Sequence, residues 1–352
     1  MKNLLEELML ELLKAYSPTG KEFNAINKYV DIVRSLGTGE VIIDEVGNAL
    51  FTYGEGSKWL LLAGHIDTVP GELPVSYDGN IFRGRGAVDA KGPLVAMTVG
   101  AVEAFNKLNT RDVKVTVAAL VGEEGRSHGA RALIRKNLKP NAIVIGEPSG
   151  CDGVVIGYRG SIKLNIKCYG SGGHSSNPEL GISAVEELIK SWIRIKESLR
   201  TNNQVSVGIN YIHGGEPFSV IPKECEGMID LRIPIGLRTE DVKTRINELL
   251  SEKCTYELID ETPPIKVGVN APIVRALVRS IIKNGLKPSP VIKSGTSDMN
   301  LLSSLTENIV SFGPGKSELS HSDYEEISIK ELELGASIIR DTILEYFKIA
   351  HQ

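Results

Sequence analysis

Apolar, β-forming runs in this chain repeatedly stop at an acid or a histidine with glycine close by. "LLLAGHID" ends on His65 and Asp67, "VTVAALVGEEG" on Glu123 and Glu124, and "AIVIGEP" on Glu147. Asp89 sits in the glycine-rich turn "GRGAVDAKGP" just ahead of a helical pattern, and His321 lies beyond the last strand pattern in "FGPGKSELSHSDYEE". Strands this apolar need both faces covered, which demands an α/β sheet flanked by helices. In such a sheet the chemistry gathers beyond the carboxyl ends of the strands.

The spacing supports that architecture. Helical patterns fall at 2–15, 22–36, 93–108, 127–137, 271–284 and 329–348, the third opened by Pro93 in its favoured first turn. Strand patterns fall at 40–44, 49–53, 58–64, 113–121, 141–147, 289–293 and 308–312. From about Tyr158 the texture changes to half-buried alternation in "SIKLNIKCY", "QVSVGINYI", "ECEGMIDLRIPI" and "CTYELID". Helical segments near 178–200 and 239–251 interleave them, giving the β-α-β-β-α-β order of a ferredoxin-like unit. The expectation is an α/β domain made of 1–158 and 264–352, with 159–263 inserted as a smaller α+β domain.

Composition removes other classes. A chain of 352 residues has room for two cores, and 41% hydrophobic with 24% charged residues is ordinary for a soluble protein. A net charge of −4 argues against a nucleic-acid or membrane-surface protein. No apolar run approaches the ~20 residues of a membrane span. The acidic, amphipathic start "MKNLLEELMLELLKAYS" reads as a helix and not a signal peptide. Cys151, Cys168, Cys225 and Cys254 are far apart and form no C-x-x-C. That spacing argues against a disulfide framework or a cysteine zinc site, and for a reducing cytoplasm.

Two imidazoles and three carboxylates at successive strand ends suit a pair of divalent cations, the mixed N/O set favouring zinc-like ions. Taken singly, the adjacent glutamates read as a solvated pair and Glu-Pro as a loop; together they point to one site. "GPGKS" fails as a phosphate loop because Val310 stands where that motif needs glycine.

"GHIDTVP", "GRGAVDAKG", "GEEG", "GEP", "SGGHSS", "DLRIP", "GTSDMN" and "FGPG…SHSDYEE" occur in that order. In this the whole chain resembles the ArgE/DapE/aminoacylase/carboxypeptidase-G family of metallohydrolases. The resemblance implies a zinc-hydrolase domain with an inserted ferredoxin-like lid, commonly used for dimerisation, and a cis peptide after the bridging aspartate. It implies two divalent cations, zinc first and cobalt as the alternative. His65 and Glu147 would end-ligate one, Glu124 and His321 the other, and Asp89 would bridge them. Asp67 would bond the far ring nitrogen of His65, and Glu123 would be the general base.

His174 in "GSGGHSSNP" would donate to the tetrahedral oxyanion from the lid, across a homodimer. Its plain alternative is a loop histidine before a helix capped by Ser176 or Asn177, with Pro178 in the first turn. Arg232 would grip a substrate α-carboxylate, or else form a salt bridge on the strand surface. Gly295, Thr296 and Ser297 would line the same pocket. Within the family, the compact length and "KSGTSDMN" are most similar to enzymes that release lysine or ornithine from LysW, an acidic amino-group carrier protein. A small-molecule deacylase of the acetylornithine or succinyl-diaminopimelate type, a dipeptidase, and a catalytically silent binding homologue are the competing readings. An acidic carrier would need local basic surface, for which Lys163, Lys167 and Lys223 are candidates. The chain departs from its relatives at Ser219 of "FSVIPKE" and in the ending His321-Ser-Asp-Tyr324-Glu325, changes that touch specificity and leave the ligand set intact.

Overall fold

The computed structural model describes residues 2–108 and 111–349. They form two compact units: one from the residues up to Ile156, Val267–Ile292 and Ser297 onward, the other from Gly157–Lys266 and Lys293–Thr296.

The larger unit is built on a mixed sheet. Its strands run in the spatial order Glu40–Ile43, Ala49–Tyr53, Val113–Leu120, Lys58–His65, Ala142–Gly146, Ile309–Ser311 and Gly153–Tyr158. Lys58–His65 pairs in parallel with both neighbours, so His65 and Gly146 finish at the same edge of the sheet. From Leu60 onward the His65 strand is fully buried, because its apolar run leaves neither face for water. Helix Lys91–Phe105 is buried almost throughout and packs against Ile329–Ile349. The two backbones approach closely at Gly100, where a Cβ would stand 2.6 Å from the carbonyl oxygen of Ala336.

A small sheet of Ser76–Tyr77, Ile81–Arg83 and Glu326–Ser328 decides where two later loops go. Glu326 pairs antiparallel with Arg83, so the chain leaves toward Asp89 where the other strand arrives from His321. The sequence reading did not include this sheet, the strand Gly153–Tyr158 or the short helix Asp298–Leu302.

The smaller unit is the antiparallel β-α-β-β-α-β arrangement. Strands Ser206–Gly214, Glu224–Ile233, Gly160–Tyr169 and Cys254–Thr262 lie in that order, with helices Ala184–Asn203 and Thr239–Leu249. Ile162, Leu164, Ile166, Leu188, Leu231 and Ile233 share its core. Alternation along Glu224–Ile233 turns Leu231 inward and leaves Arg232 half-buried on the opposite face.

Two expectations are corrected here. The reading of cysteines without a disulfide fails: Cys168 and Cys254, 86 residues apart, form one. They are register partners on adjacent antiparallel strands, a proximity that sequence separation hides. The helix expected from 178 begins later; Pro178–Leu180 is a single 3-10 turn, and the helix starts at Ala184, capped by the Ser183 hydroxyl and not by Ser176 or Asn177. Among the described residues no helix is long and apolar enough to cross a membrane.

Candidate metal centre

His65 ends a buried strand with both ring nitrogens facing oxygen acceptors. Nδ1 lies 2.9 Å from the main-chain carbonyl of Asp67, which can only accept, so Nδ1 carries a proton. Nε2 faces Asp89 Oδ1, 3.1 Å away. The Asp67 carboxylate stands 3.6 Å from Nδ1, beyond a hydrogen bond. Its oxygens serve other donors: Glu123 N–H at 3.0 Å, Glu124 N–H at 3.1 Å and the Thr19 hydroxyl at 2.7 Å. The residue orients the histidine through its backbone and the Glu123–Glu124 turn through its side chain.

Asp89 lies between two imidazoles. Oδ1 faces His65 Nε2 at 3.1 Å, and Oδ2 faces His321 Nε2 at 3.5 Å. His321 Nε2 also meets Glu124 Oε1 at 2.7 Å. The peptide bond from Asp89 to Ala90 is cis. Ligand-type atoms converge in the groups His65/Asp89/Glu147 and Asp89/Glu124/His321, each within 4.8 Å. A third grouping, His65/Glu123/Glu124, meets the same distance. The first two share Asp89 and use each histidine once, and Glu123 belongs to neither.

The electrostatics fit a cation site. Burial pushes the Glu123 carboxyl well above its ordinary range; His65 opposes this, while Glu147, Asp298 and Glu124 add to it. Burial likewise pushes Asp298 up to about 6. For His65, burial resists charging, but the carboxylates of Asp67, Asp89 and Glu123 prevail and raise its pKa. Among the described residues, the ion pairs of Asp89, Glu123 and Glu124 are all with imidazoles. Crowded carboxylates with two nitrogen donors are a donor set suited to divalent cations.

The remaining expected residues have local partners of their own. His174 is exposed in the smaller unit, its Nδ1 accepting from the Ser176 N–H at 3.1 Å, which leaves the neutral ring's proton on Nε2. Arg232 Nη2 pairs with Asp230 Oδ2 at 3.1 Å on the same strand face. Lys163 and Lys167 stand opposite Asp230 and Glu226 in register, acids that offset their charge. Gly295 and Thr296 belong to the smaller unit and Ser297 to the larger one, where its hydroxyl accepts from Met299 N–H as a helix cap. The sequence reading passed over Thr19, Arg85 and Asp298, and it treated Glu325 only as part of an altered ending. Asp298 was within reach, in "GTSDMN"; the others make contacts that no spacing reveals.

Comparison with known proteins identifies the family. Residues 61–345 match the model of peptidase family M20/M25/M40. A protein of Saccharolobus solfataricus named [LysW]-lysine/[LysW]-ornithine hydrolase is 38% identical over 335 residues, covering 95% of this chain and 94% of that protein. In structure the chain is similar to aminopeptidase PepT of Bacillus cereus, with a TM-score of 0.84, 21% identity and 99% of each chain covered. It is also similar to the Bacillus subtilis YxeP protein, described as a dinuclear metal-binding peptidase, with a TM-score of 0.77, 12% identity, and 99% and 98% of the two chains covered.

Proposed function

This chain belongs to peptidase family M20/M25/M40, and we propose that it hydrolyses the amide bond joining lysine or ornithine to the acidic carrier protein LysW. The observation that carries the chemistry is the sharing of Asp89 between two histidine–glutamate pairs, with Glu123 left outside both. His65, Glu147 and Asp89 would hold one divalent cation, and Asp89, Glu124 and His321 the other. We assign zinc, with cobalt as the alternative. Such a pair supplies Lewis acidity and lowers the pKa of a shared water.

Glu123 takes the proton of the attacking water and returns it to the departing amine as the C–N bond breaks. His174, with its proton on Nε2, is the donor assigned to the developing oxyanion. Exposed Ile189 and Ile193 on helix Ala184–Asn203, with Tyr211 and Ile212 on an edge strand, support a homodimer through the smaller unit. Arg232 is assigned to the substrate's α-carboxylate, for which it must share its fork with Asp230.

Substrate choice rests on the named relative, which covers nearly the whole chain. The deciding experiment measures kcat/KM for LysW-lysine, LysW-ornithine and N-acetylornithine across a salt series. Rising ionic strength should weaken the carrier-linked substrates far more than the small one. Parallel curves, or cleavage of only the small substrate, would replace this reading with a small-molecule deacylase.

A further inference from the structure

Behind the candidate ligands, Arg85 and Glu325 form a buried ion pair, with Nη1 and Oε2 3.2 Å apart and both side chains at most 5% exposed. Each residue has several further bonds, and their destinations are informative. Glu325 Oε1 accepts from Asp89 N–H at 2.9 Å and Val88 N–H at 3.0 Å, and Oε2 accepts from Gly86 N–H at 3.0 Å. Arg85 donates to the carbonyl of Gly71 at 2.8 Å and to that of Ser322 at 2.9 Å. Gly71 follows the His65–Asp67 segment, Gly86–Asp89 presents the shared carboxylate, and Ser322 adjoins His321.

We infer that the Arg85–Glu325 pair is a latch that sets the mutual positions of His65, Asp89 and His321 before any cation binds. Both are positioning residues: neither is within the ligand groups, and each acts through the backbone of a loop that is. The inference rests on the metal reading of the site and adds how that site is held in shape.

Three physical points support it. Charge-assisted bonds to backbone donors are the strong class, and Glu325 makes three on consecutive turns of one loop. Gly86 has φ of +87°, and a Cβ there would stand 2.8 Å from Thr68 Cγ2, so the backbone can come this close only as glycine. His321 itself has φ of +62°, a left-handed conformation that non-glycine residues hold only where surrounding contacts fix it. The Arg85 bond to Ser322 is such a contact. The small sheet explains the reach, since Glu325 directly precedes the strand residue paired with Arg83. In charge, the guanidinium offsets Glu325, so the latch adds little net field and acts through position.

The test titrates the full chain, first stripped with a chelator, with Co2+, comparing wild type, Glu325→Gln and Arg85→Lys by calorimetry and visible absorption. Wild type should take up two equivalents. Glu325→Gln cannot accept from three N–H groups as a carboxylate does, and it should bind both ions about 10–100-fold more weakly with altered Co2+ absorption bands. Arg85→Lys keeps a charge beside Glu325 but cannot reach both carbonyls, and it should bind more weakly with altered bands too. A role in folding alone would instead lower the melting temperature of the cation-free variants and leave affinities and bands unchanged; that result overturns the latch. If Glu325→Gln does not fold, Arg85→Lys decides in the same terms. No uptake by wild type overturns the metal reading and the latch together, whereas normal uptake by wild type and folded variants alike overturns the latch alone.

Discussion

The backbone N–H of Glu123 donates to Asp67 Oδ1 at 3.0 Å, across 56 residues of sequence. The next residue repeats the contact, Glu124 N–H meeting Oδ2 at 3.1 Å. One buried carboxylate therefore holds the backbone from which both glutamate side chains start. From that shared anchor they diverge: Glu124 reaches His321 at 2.7 Å, while Glu123 stays 4.0 Å from His65.

Asp67→Asn should disturb both glutamates at once. The amide keeps one acceptor oxygen and turns an NH2 toward a backbone donor, so one of the two N–H bonds is lost. Cation affinity should fall roughly 10–100-fold, with turnover falling alongside it. Competition against a chromophoric chelator measures the first, and unchanged affinity would show that the turn holds without the carboxylate.

Glu123→Gln should bind both cations normally and lose about 10³-fold or more in kcat, since an amide cannot accept the water's proton. Metal analysis beside steady-state kinetics separates the two effects. Near-normal turnover with full metal content would remove Glu123 from the role of base.

His174→Ala should lower kcat on the order of 10²–10³-fold with metal content intact, as expected when an oxyanion donor is deleted. Mixing inactive His174→Ala with inactive Glu123→Gln subunits should restore part of the activity if the histidine acts across a dimer. Verified mixed dimers that stay inactive would place His174 in its own subunit's site or in none.

Lys91 should give the fold a pH dependence. Its Nζ donates to the carbonyls of Leu12 and Ala15 at 2.8 and 3.0 Å. Burial depresses its pKa from the ordinary 10.5 to about 7. Between those values the unfolded chain holds a proton that the folded chain has released, so stability rises with pH from about 7 toward 10.5 and is lowest, in this respect, below 7. Urea midpoints of wild type and Lys91→Met across this range provide the check, because their difference isolates the lysine. Equal slopes would mean the ammonium keeps an ordinary pKa.

The strand ends were legible because an apolar run followed by an acid or histidine is a local pattern. It marked His65, Asp89, Glu123, Glu124, Glu147 and His321 without any knowledge of the pairing. The ferredoxin-like order was legible for the same reason, since alternation and helical periodicity are both local. What stayed hidden depends on which strands become neighbours. Cys168 and Cys254 meet only through the register of two strands. Glu325 reaches Asp89 only through the small sheet, and its 236-residue separation carries no signal. The H-x-D spacing pointed to the Asp67 contact with the far ring nitrogen, and only the fold shows that the main-chain carbonyl takes the hydrogen bond while the carboxylate stands 3.6 Å away.

The placement of Ile309–Ser311 has a consequence for how the chain matures. This strand lies between Ala142–Gly146 and Gly153–Tyr158, which follow each other in sequence. Until it inserts, the sheet has a gap between those two strands, lined with unpaired backbone groups. On a ribosome, the segment that closes the gap is made only after the entire ferredoxin-like unit has emerged. Late, non-local pairing of this kind is slow and leaves an edge open to wrong associations. In the proposed reading, uptake of both cations needs His321, which follows this strand, so a chain stopped short of residue 309 should fail to take up two equivalents.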